Sequence, residues 1–471
     1  MKYDYEDLYA AKKTYGQDIN TSLGNAADPI DADQKLQEDA LMSYVASVNY
    51  SYGDKYYASF SFRRDGSSRL SPDTRWGNFW SLSASWRLSQ EKFMQSLKSV
   101  LSDLKLRASY GVNGNLPSSY YGYQSTYTTG AFYNGKPSPW ESTLGNEELT
   151  WEKNYALNLG LDIGLFSRVN VSLDWYTRTT KDLLMSKQLN SISGFSSLLT
   201  NVGQMRNTGV ELEVRSNNIK TKDFSWTTAF NLSHNKNKIL KLADLPWFVD
   251  GRYVRKEGYP FNTIYLREYA GVDPETGSAL YYDNQQDENG NYTKNKVTDP
   301  GQASPIPLKD ITPTISGGFM NTFNYKFIDL SFNLSYSFGG YSYDNASYIL
   351  QDDGYSVISN KSTEQRRRWQ KPGDITDVPR FVYGNKKGGN YNSSRAIHST
   401  DHIRLKSLIL GLNAPKAWLQ KLGIGNARIY FSGTNLLTWA AYGQYDPEMS
   451  GVVGFYTPPL KTYAFGLELK F

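Results

Sequence analysis

Residues Phe79 to Leu88 read FWSLSASWRL. Trp80, Leu82, Ala84, Trp86 and Leu88 share one parity, and Ser81, Ser83, Ser85 and Arg87 the other. A period of two belongs to an extended strand with one apolar and one polar face, because successive side chains leave opposite sides of the backbone. The design recurs outward from this stretch. Leu104, Leu106, Ala108, Tyr110 and Val112 oppose Lys105, Arg107, Ser109 and Asn113. Tyr155, Leu157, Leu159, Leu161, Ile163 and Leu165 alternate with Ala156, Asn158, Gly160, Asp162 and Gly164, and a tight turn leads on to Val169, Val171, Leu173 and Trp175. Ile328, Leu330, Phe332, Leu334, Tyr336 and Phe338 alternate with Asp329 and polar neighbours. The chain closes on KTYAFGLELKF, in which Tyr463, Phe465, Leu467, Leu469 and Phe471 form a last apolar stripe.

Composition agrees with a β fold. The 471 residues include 37 Tyr, 21 Phe, 11 Trp and 39 Gly, a mixture that favours strands and tight turns over helices. Mean hydropathy is -0.57, and no run approaches the roughly 18 apolar residues of a spanning helix. Any passage through a membrane therefore rests on alternating strands. Fifty-one basic residues face 46 acidic ones, a net charge of +5 that gives nucleic-acid binding no support. With no Cys and 3 His, disulfides and thiolate metal sites are excluded and little remains for acid-base chemistry. The amino terminus, MKYDYEDLYAAKKTYGQD, contains no basic stretch followed by an apolar one, so no secretory signal is read there.

Strands are expected near 43–52, 55–64, 76–89, 103–113, 151–165, 168–179, 208–217, 223–235, 312–325, 327–338, 402–412, 427–437 and 460–471, about thirteen in all. Turns near Gly53, Ser167, Ile219 and Lys326 are brief. The connections Asn115 to Thr150, Thr180 to Asn207, Lys236 to Ile311 and Gly339 to Asp401 are long. Strands of about ten residues with short turns at one end and long loops at the other describe an all-β, antiparallel transmembrane barrel, its loops extracellular and its turns periplasmic. Residues 1–40 read as a loop-like, extracellular amino-terminal segment and 41–471 as barrel. Bacterial barrels have even strand numbers. An odd count with Phe471 in the periplasm places Met1 outside and implies sequence missing upstream of it.

Several stretches together resemble the SusC/RagA-like TonB-dependent outer-membrane transporters: RWGNFWSLSASWRLSQEKF, LKLRASYGVNGN, TKDLL at Thr180 to Leu184, LTNVGQMRNTGVELEV, FSWTTAFNLSHNKNKIL, RWQKPGDITDVPR, RLKSLILGLNAP, NLLTW at Asn435 to Trp439, YDPE at Tyr445 to Glu448, and the terminal strand. The resemblance runs from about Leu41 to the end. It implies about 13 of the 22 strands of a barrel, without the amino-terminal plug, in the outer membrane of a Gram-negative bacterium. It further implies uptake of oligosaccharides or oligopeptides driven by TonB acting through the plug, and a SusD-like lipoprotein as lid. The last strand, with Tyr463, Phe465, Leu467, Leu469 and Phe471, becomes the address read by the barrel-insertion machinery and faces outer-membrane lipid. The expected function is that of the carboxy-terminal barrel region of a glycan or oligopeptide transporter, a fragment not competent for transport alone. The alternative is a surface glycan-binding or adhesin β protein.

Loop aromatics are the candidates for contact with substrate or lid: Tyr120, Tyr121, Tyr123, Trp140, Trp247, Phe248 and Tyr253, whose ring faces can stack on sugars or serve as packing. His398 and His402 lie four apart, but in loop-to-strand sequence with no third ligand, so no metal site is assigned. Asp283 to Asn291, DNQQDENGN, fails the calcium-loop spacing and reads as a hydrated hairpin tip. Arg366 to Arg368, before Trp369, read as loop packing or contact with lipopolysaccharide or the lid. No cofactor is implied, and no nucleophile elbow, phosphate loop or acid-base pair points to an enzyme.

Overall fold

The computed structural model describes residues 2–11, 31–242, 245–356, 358–385, 392–419 and 423–471. Within them one antiparallel sheet takes fourteen long strands in chain order: β1 (Lys2–Ala11), β2 (Asp31–Tyr52), β3 (Tyr56–Ser67), β4 (Trp76–Arg87), β5 (Leu101–Asn115), β6 (Glu152–Leu165), β7 (Val169–Lys181), β8 (Gln204–Lys220), β9 (Phe224–Lys241), β10 (Ile315–Tyr325), β11 (Ile328–Phe338), β12 (His402–Asn413), β13 (Asn426–Ala440) and β14 (Thr462–Lys470). Each strand therefore pairs with its neighbours in sequence. Two hairpins show how the tight turns are made. Gly53 and Asp54, φ 59° and 53°, join β2 to β3, and Phe166 and Ser167, φ 52° and 54°, join β6 to β7. Two consecutive left-handed residues match the twist of the strands they connect. Among the described residues no helix is long and apolar enough to cross a membrane, which says nothing of strands.

Contacts divide the chain into two compact units, Met1–Ala84 with Ser109–Leu157 and Arg178–Met205, and Ser85–Ala108 with Asn158–Thr177 and Arg206–Phe471. In the first unit Tyr44 and Val48 of β2 stand in the same outward rows as Arg64 and Phe60 of β3. Val48 is 66% exposed and Leu82 of β4 53%. In the second unit the register carries one apolar face across five strands. Phe323 of β10 faces Leu330 of β11, Leu330 faces Leu410 of β12, Leu410 faces Phe431 of β13, and Phe431 faces Phe465 of β14. Such a contiguous exposed apolar face needs a nonaqueous cover, and lipid is the cover for which alternating strands of this length are suited. Asn321 of β10 is a buried polar side chain in the outward rows of the second unit. It is 2% exposed, and its Oδ1 accepts hydrogen bonds from Trp226 Nε1 at 2.8 Å and Thr228 Oγ1 at 2.7 Å.

The opposite parity carries charge already paired within the wall. Arg107 of β5 donates to both carboxylate oxygens of Asp162 on β6, at 2.8 and 2.9 Å, and to both of Asp174 on β7, at 2.9 Å each. Gly160 leaves room for that fork, since a Cβ there would lie 2.5 Å from the guanidinium carbon. Arg428 of β13 reaches Asp329 of β11 across β12 at 2.6 Å, and Asn413 of β12 donates to the same carboxylate at 2.8 Å.

The long connections fold on themselves. In the first unit Leu70, Phe79, Val112, Leu149 and Trp151 form a buried core, and Trp151 Nε1 donates to the Arg75 carbonyl at 2.8 Å. In the second, Ile264, Leu266, Tyr343 and Ala396 form one loop core and Ala279, Tyr281 and Ala303 another.

The amino-terminal segment departs from expectation. Residues 2–11 pair with 31–40 as an antiparallel ladder, so these parts are strand where a loop was expected, and residues 12–30 lie outside the described residues. Charges in DADQKLQEDA mask the alternation there, while the pairing itself is made by backbone groups that sequence polarity does not report. The sheet thereby gains a strand over the expected thirteen, and the odd-count argument about Met1 falls.

The two faces make opposite demands on one strand. Leu82→Arg should lower unfolding stability in lipid by about 2–4 kcal/mol, while Ser83→Arg on the inward face should change it far less. Urea titration of each variant in vesicles measures the difference; equal losses would contradict the assignment of faces.

Candidate functional site

Within the second unit, a cavity of about 610 Å³ lies where the loops after β11 and β13 meet β12 and β13. Its foundation is Arg404. On β12 this residue alternates with Ile403 and Leu405 and so falls on the polar parity. Its side chain is 3% exposed and donates to Thr438 Oγ1 at 3.0 Å, Asp446 Oδ2 at 2.6 Å and Glu448 Oε2 at 2.7 Å. Lys406, two positions along, donates to Glu448 at 2.6 Å. Two cations on one strand thus meet two carboxylates of the YDPE segment, and Asp446 Oδ1 accepts from the Glu448 amide at 3.0 Å to hold that turn. The charges are balanced locally, as buried ions must be.

The adjoining wall is a buried hydroxyl network. Asp344, 2% exposed, caps the helix Asn345–Leu350 through the Ser347 amide at 2.8 Å and accepts from Tyr442 Oη at 3.1 Å. Tyr445 and Ser342 hydroxyls bond to one another. Burial pushes the Tyr442 and Tyr445 hydroxyls up, which keeps both protonated and able to donate. His398 lies flat on Tyr442, ring centroids 3.7 Å apart and planes within 3°, and burial holds its imidazole below the usual histidine range.

Tyr445, Phe455 and Tyr456 line the cavity together with Asn435, Gln444 and Thr438. Phe455 is 67% exposed and Tyr456 63%. Ring faces with amide and hydroxyl groups, above ions already paired, suit a polar ligand of little net charge.

The residues chosen from sequence lie elsewhere. In the first unit the Arg69 guanidinium covers Tyr120 at 4.0 Å, Tyr121 Oη accepts from the Glu38 amide at 3.1 Å, and Tyr123 packs on the Leu70 and Trp151 core. Trp140, on the strand Lys136–Thr143, is 62% exposed. In the second unit Trp247 is 45% exposed with its ring 6.0 Å from Tyr265, Phe248 is half-buried beside it in the strand Trp247–Asp250, and Tyr253 packs on the Ile264 and Tyr343 core. Tyr120, Tyr123 and Tyr253 thus have packing duties, while Trp140 and Trp247 keep open faces. None of the seven lines the cavity. Phe455 and Tyr456 were missed, and so was the pairing of Arg404 and Lys406 with Asp446 and Glu448, whose equal two-residue spacing is the one signal that sequence offers for it.

The other motifs also resolve into local structure. His402 Nδ1 donates to the Thr400 carbonyl at 2.8 Å, separate from the His398 stack. Asp287 Oδ1 accepts from the amides of Asn289 and Asn291 at 2.9 and 2.8 Å, closing a hairpin tip. Arg367 pairs with Glu364 and Asp377, and Trp369 Nε1 donates to the Pro274 carbonyl at 2.8 Å. Tyr463, Phe465, Leu467, Leu469 and Phe471 are between 46% and 87% exposed; β14 pairs with β13 on one side.

Comparison with known proteins adds a family. The family model described as TonB dependent receptor-like, beta-barrel matches residues 2–264. TonB-dependent receptor P3 of Formosa agariphila is 33% identical, the alignment covering 93% of this chain and 46% of that protein. TonB-dependent receptor SusC of Bacteroides thetaiotaomicron is 30% identical over 93% of this chain and 45% of its own length. Among solved structures, that of the RagAB peptide transporter superposes with a TM-score of 0.88 at 30% identity, covering 100% of this chain and 52% of that one. The chain spans about half the length of the curated relatives it matches.

Arg404→Ala leaves two carboxylates without their cation. It should loosen residues 441–461 by about 3–5 kcal/mol, seen as faster amide exchange there with β10 and β11 unchanged. An unaltered exchange pattern would show that the ion cluster does not hold the loop. The lowered pKa of His398 means that the unfolded imidazole binds protons first as pH falls. The stack is thus fully stable above the ordinary value of 6.5 and loses stability as pH drops through the folded value. An imidazole resonance for His398 titrating at or above 6.5 would contradict this.

Proposed function

The chain belongs to the TonB dependent receptor-like β-barrel family, and from that premise we propose that it supplies the wall and extracellular loops of an outer-membrane importer for oligosaccharides or oligopeptides. The observation that carries the proposal is the two-sided sheet: an apolar face toward lipid, a polar face with its ions paired, and a loop-roofed cavity based on the polar parity of β12 and β13. Substrate first meets the loops, where Phe455 and Tyr456 offer ring faces and Trp140 and Trp247 offer further ones. It then moves along a wetted wall whose charges do not hold it. A SusD-like lipoprotein covers the loops, TonB supplies the energy through a plug, and no bond of the substrate is broken. The relatives are transporters and receptors, which fits passage without catalysis.

Deletion of the gene should abolish uptake of one labelled pool, neutral oligosaccharides or short peptides, and complementation should restore it. In the complemented strain Phe455→Ala with Tyr456→Ala should weaken uptake of that pool by about tenfold, with heat-modifiable migration unchanged. Undiminished uptake of both pools after deletion would sink the importer reading. Normal uptake in the double variant would remove only the cavity from it.

A further inference from the structure

The outward face of β9 changes character along its length. From the turn upward its outward positions hold Phe224, Trp226, Thr228, Phe230 and Leu232, and then His234, Lys236 and Lys238. The parity is fixed by contacts on both sides. Thr177 of β7 and Thr208 of β8 bond hydroxyl to hydroxyl at 3.2 Å on the outward face, whereas Tyr176 donates to Asn235 at 3.1 Å on the inward one. His234, Lys236 and Lys238 are exposed, while Asn235 and Asn237 are half-buried and Ile239 is buried beneath the loops. Counted from the turn where the Thr221 amide donates to the Phe224 carbonyl, Arg206 of β8 stands at about the level of Lys238, above Val210, Leu212 and Val214. Arg206 too is exposed.

Height places these cations. A rise of about 3.4 Å per residue and a tilt near 40° lift the chain by roughly 5 Å for every two residues. The apolar span from Phe224 to Leu232 is then about 20 Å tall, close to the roughly 25 Å of a barrel's apolar band. His234 falls at its upper edge, and Lys236 and Lys238 in the headgroup layer above it. Sign is sorted as well. No carboxylate occupies an outward position of β8 or β9, and Glu211 and Glu213 both fall on the inward parity. Among the described residues neither Lys236 nor Lys238 has an ion pair.

We propose that Arg206, Lys236 and Lys238 bind the phosphate of an anionic glycolipid in the outer leaflet. The apolar column below them receives its acyl chains, and the three cations meet the charge at the height where it emerges. A soluble substrate has no access to this face, so the site is independent of the cavity and of transport.

The test uses the outer-membrane protein that carries this chain, purified in a neutral detergent and offered diphosphorylated lipid A, phosphatidylethanolamine or inorganic phosphate, with bound lipid read by native mass spectrometry. Lipid A should be retained in preference to phosphatidylethanolamine, and retention should fall roughly fivefold for each cation changed to Gln. The charge-preserving set Arg206→Lys, Lys236→Arg and Lys238→Arg should keep it. If the triple Gln variant loses heat-modifiable migration, Lys238→Gln alone must show the single step. Undiminished retention in the Gln variants would overturn the proposal. So would displacement of lipid A by an equal concentration of inorganic phosphate, which would mark a site for free anions.

Discussion

Inside a hydrocarbon layer a backbone amide finds no water, so each N–H and C=O must be satisfied by a neighbouring strand. That requirement dictates the chain-order pairing of β1 to β14, because a hairpin is the shortest route from one spanning strand to a partner. Once pairing is continuous, parity is inherited. A residue facing lipid on β11 compels its partners on β10 and β12 to face lipid, and a slip of one position would turn every polar side chain outward. Ile328, Leu412, Ile429 and Leu467, one from each of four neighbouring strands, form such an inherited row.

The polar side of this outer-membrane wall follows from the same constraint. Charges that alternate with lipid-facing residues need partners close by, and Arg107 and Arg428 find theirs on neighbouring strands. Arg107 holds two carboxylates from two strands, and Arg428 spans β12 to reach Asp329. Arg404 uses the same device at the upper end of the sheet, but its carboxylates come from a loop. The wall thereby fastens part of the loop layer, and a cavity results beside the fastening.

Strands with clean alternation were legible because parity is a property of consecutive residues. FWSLSASWRL and Ile328 to Phe338 needed nothing but their own text, and the recurring motifs already resembled the family. The hairpin of β1 and β2 was not legible in its charged portions, where acids sit on both parities and only backbone pairing defines the strand. Loop aromatics were the hardest. Tyr120 and Trp140 look alike in sequence, yet one lies under Arg69 and the other stands open, and the deciding partner of Tyr120 is some fifty residues away. Likewise the partners of Arg404 lie more than forty residues further on, so the importance of YDPE emerges only when both strands are in place.

The central claim is that alternate side chains of each strand face lipid, as one parity does along the whole of β11. Spin labels placed singly at every position from Ile328 to Phe338, in the protein inserted in vesicles, test it most directly. Accessibility to apolar oxygen should peak at 328, 330, 332, 334, 336 and 338, and accessibility to a water-soluble paramagnetic complex at the positions between them. A profile without a period of two, or one in which both reagents are excluded from the even positions, would contradict it.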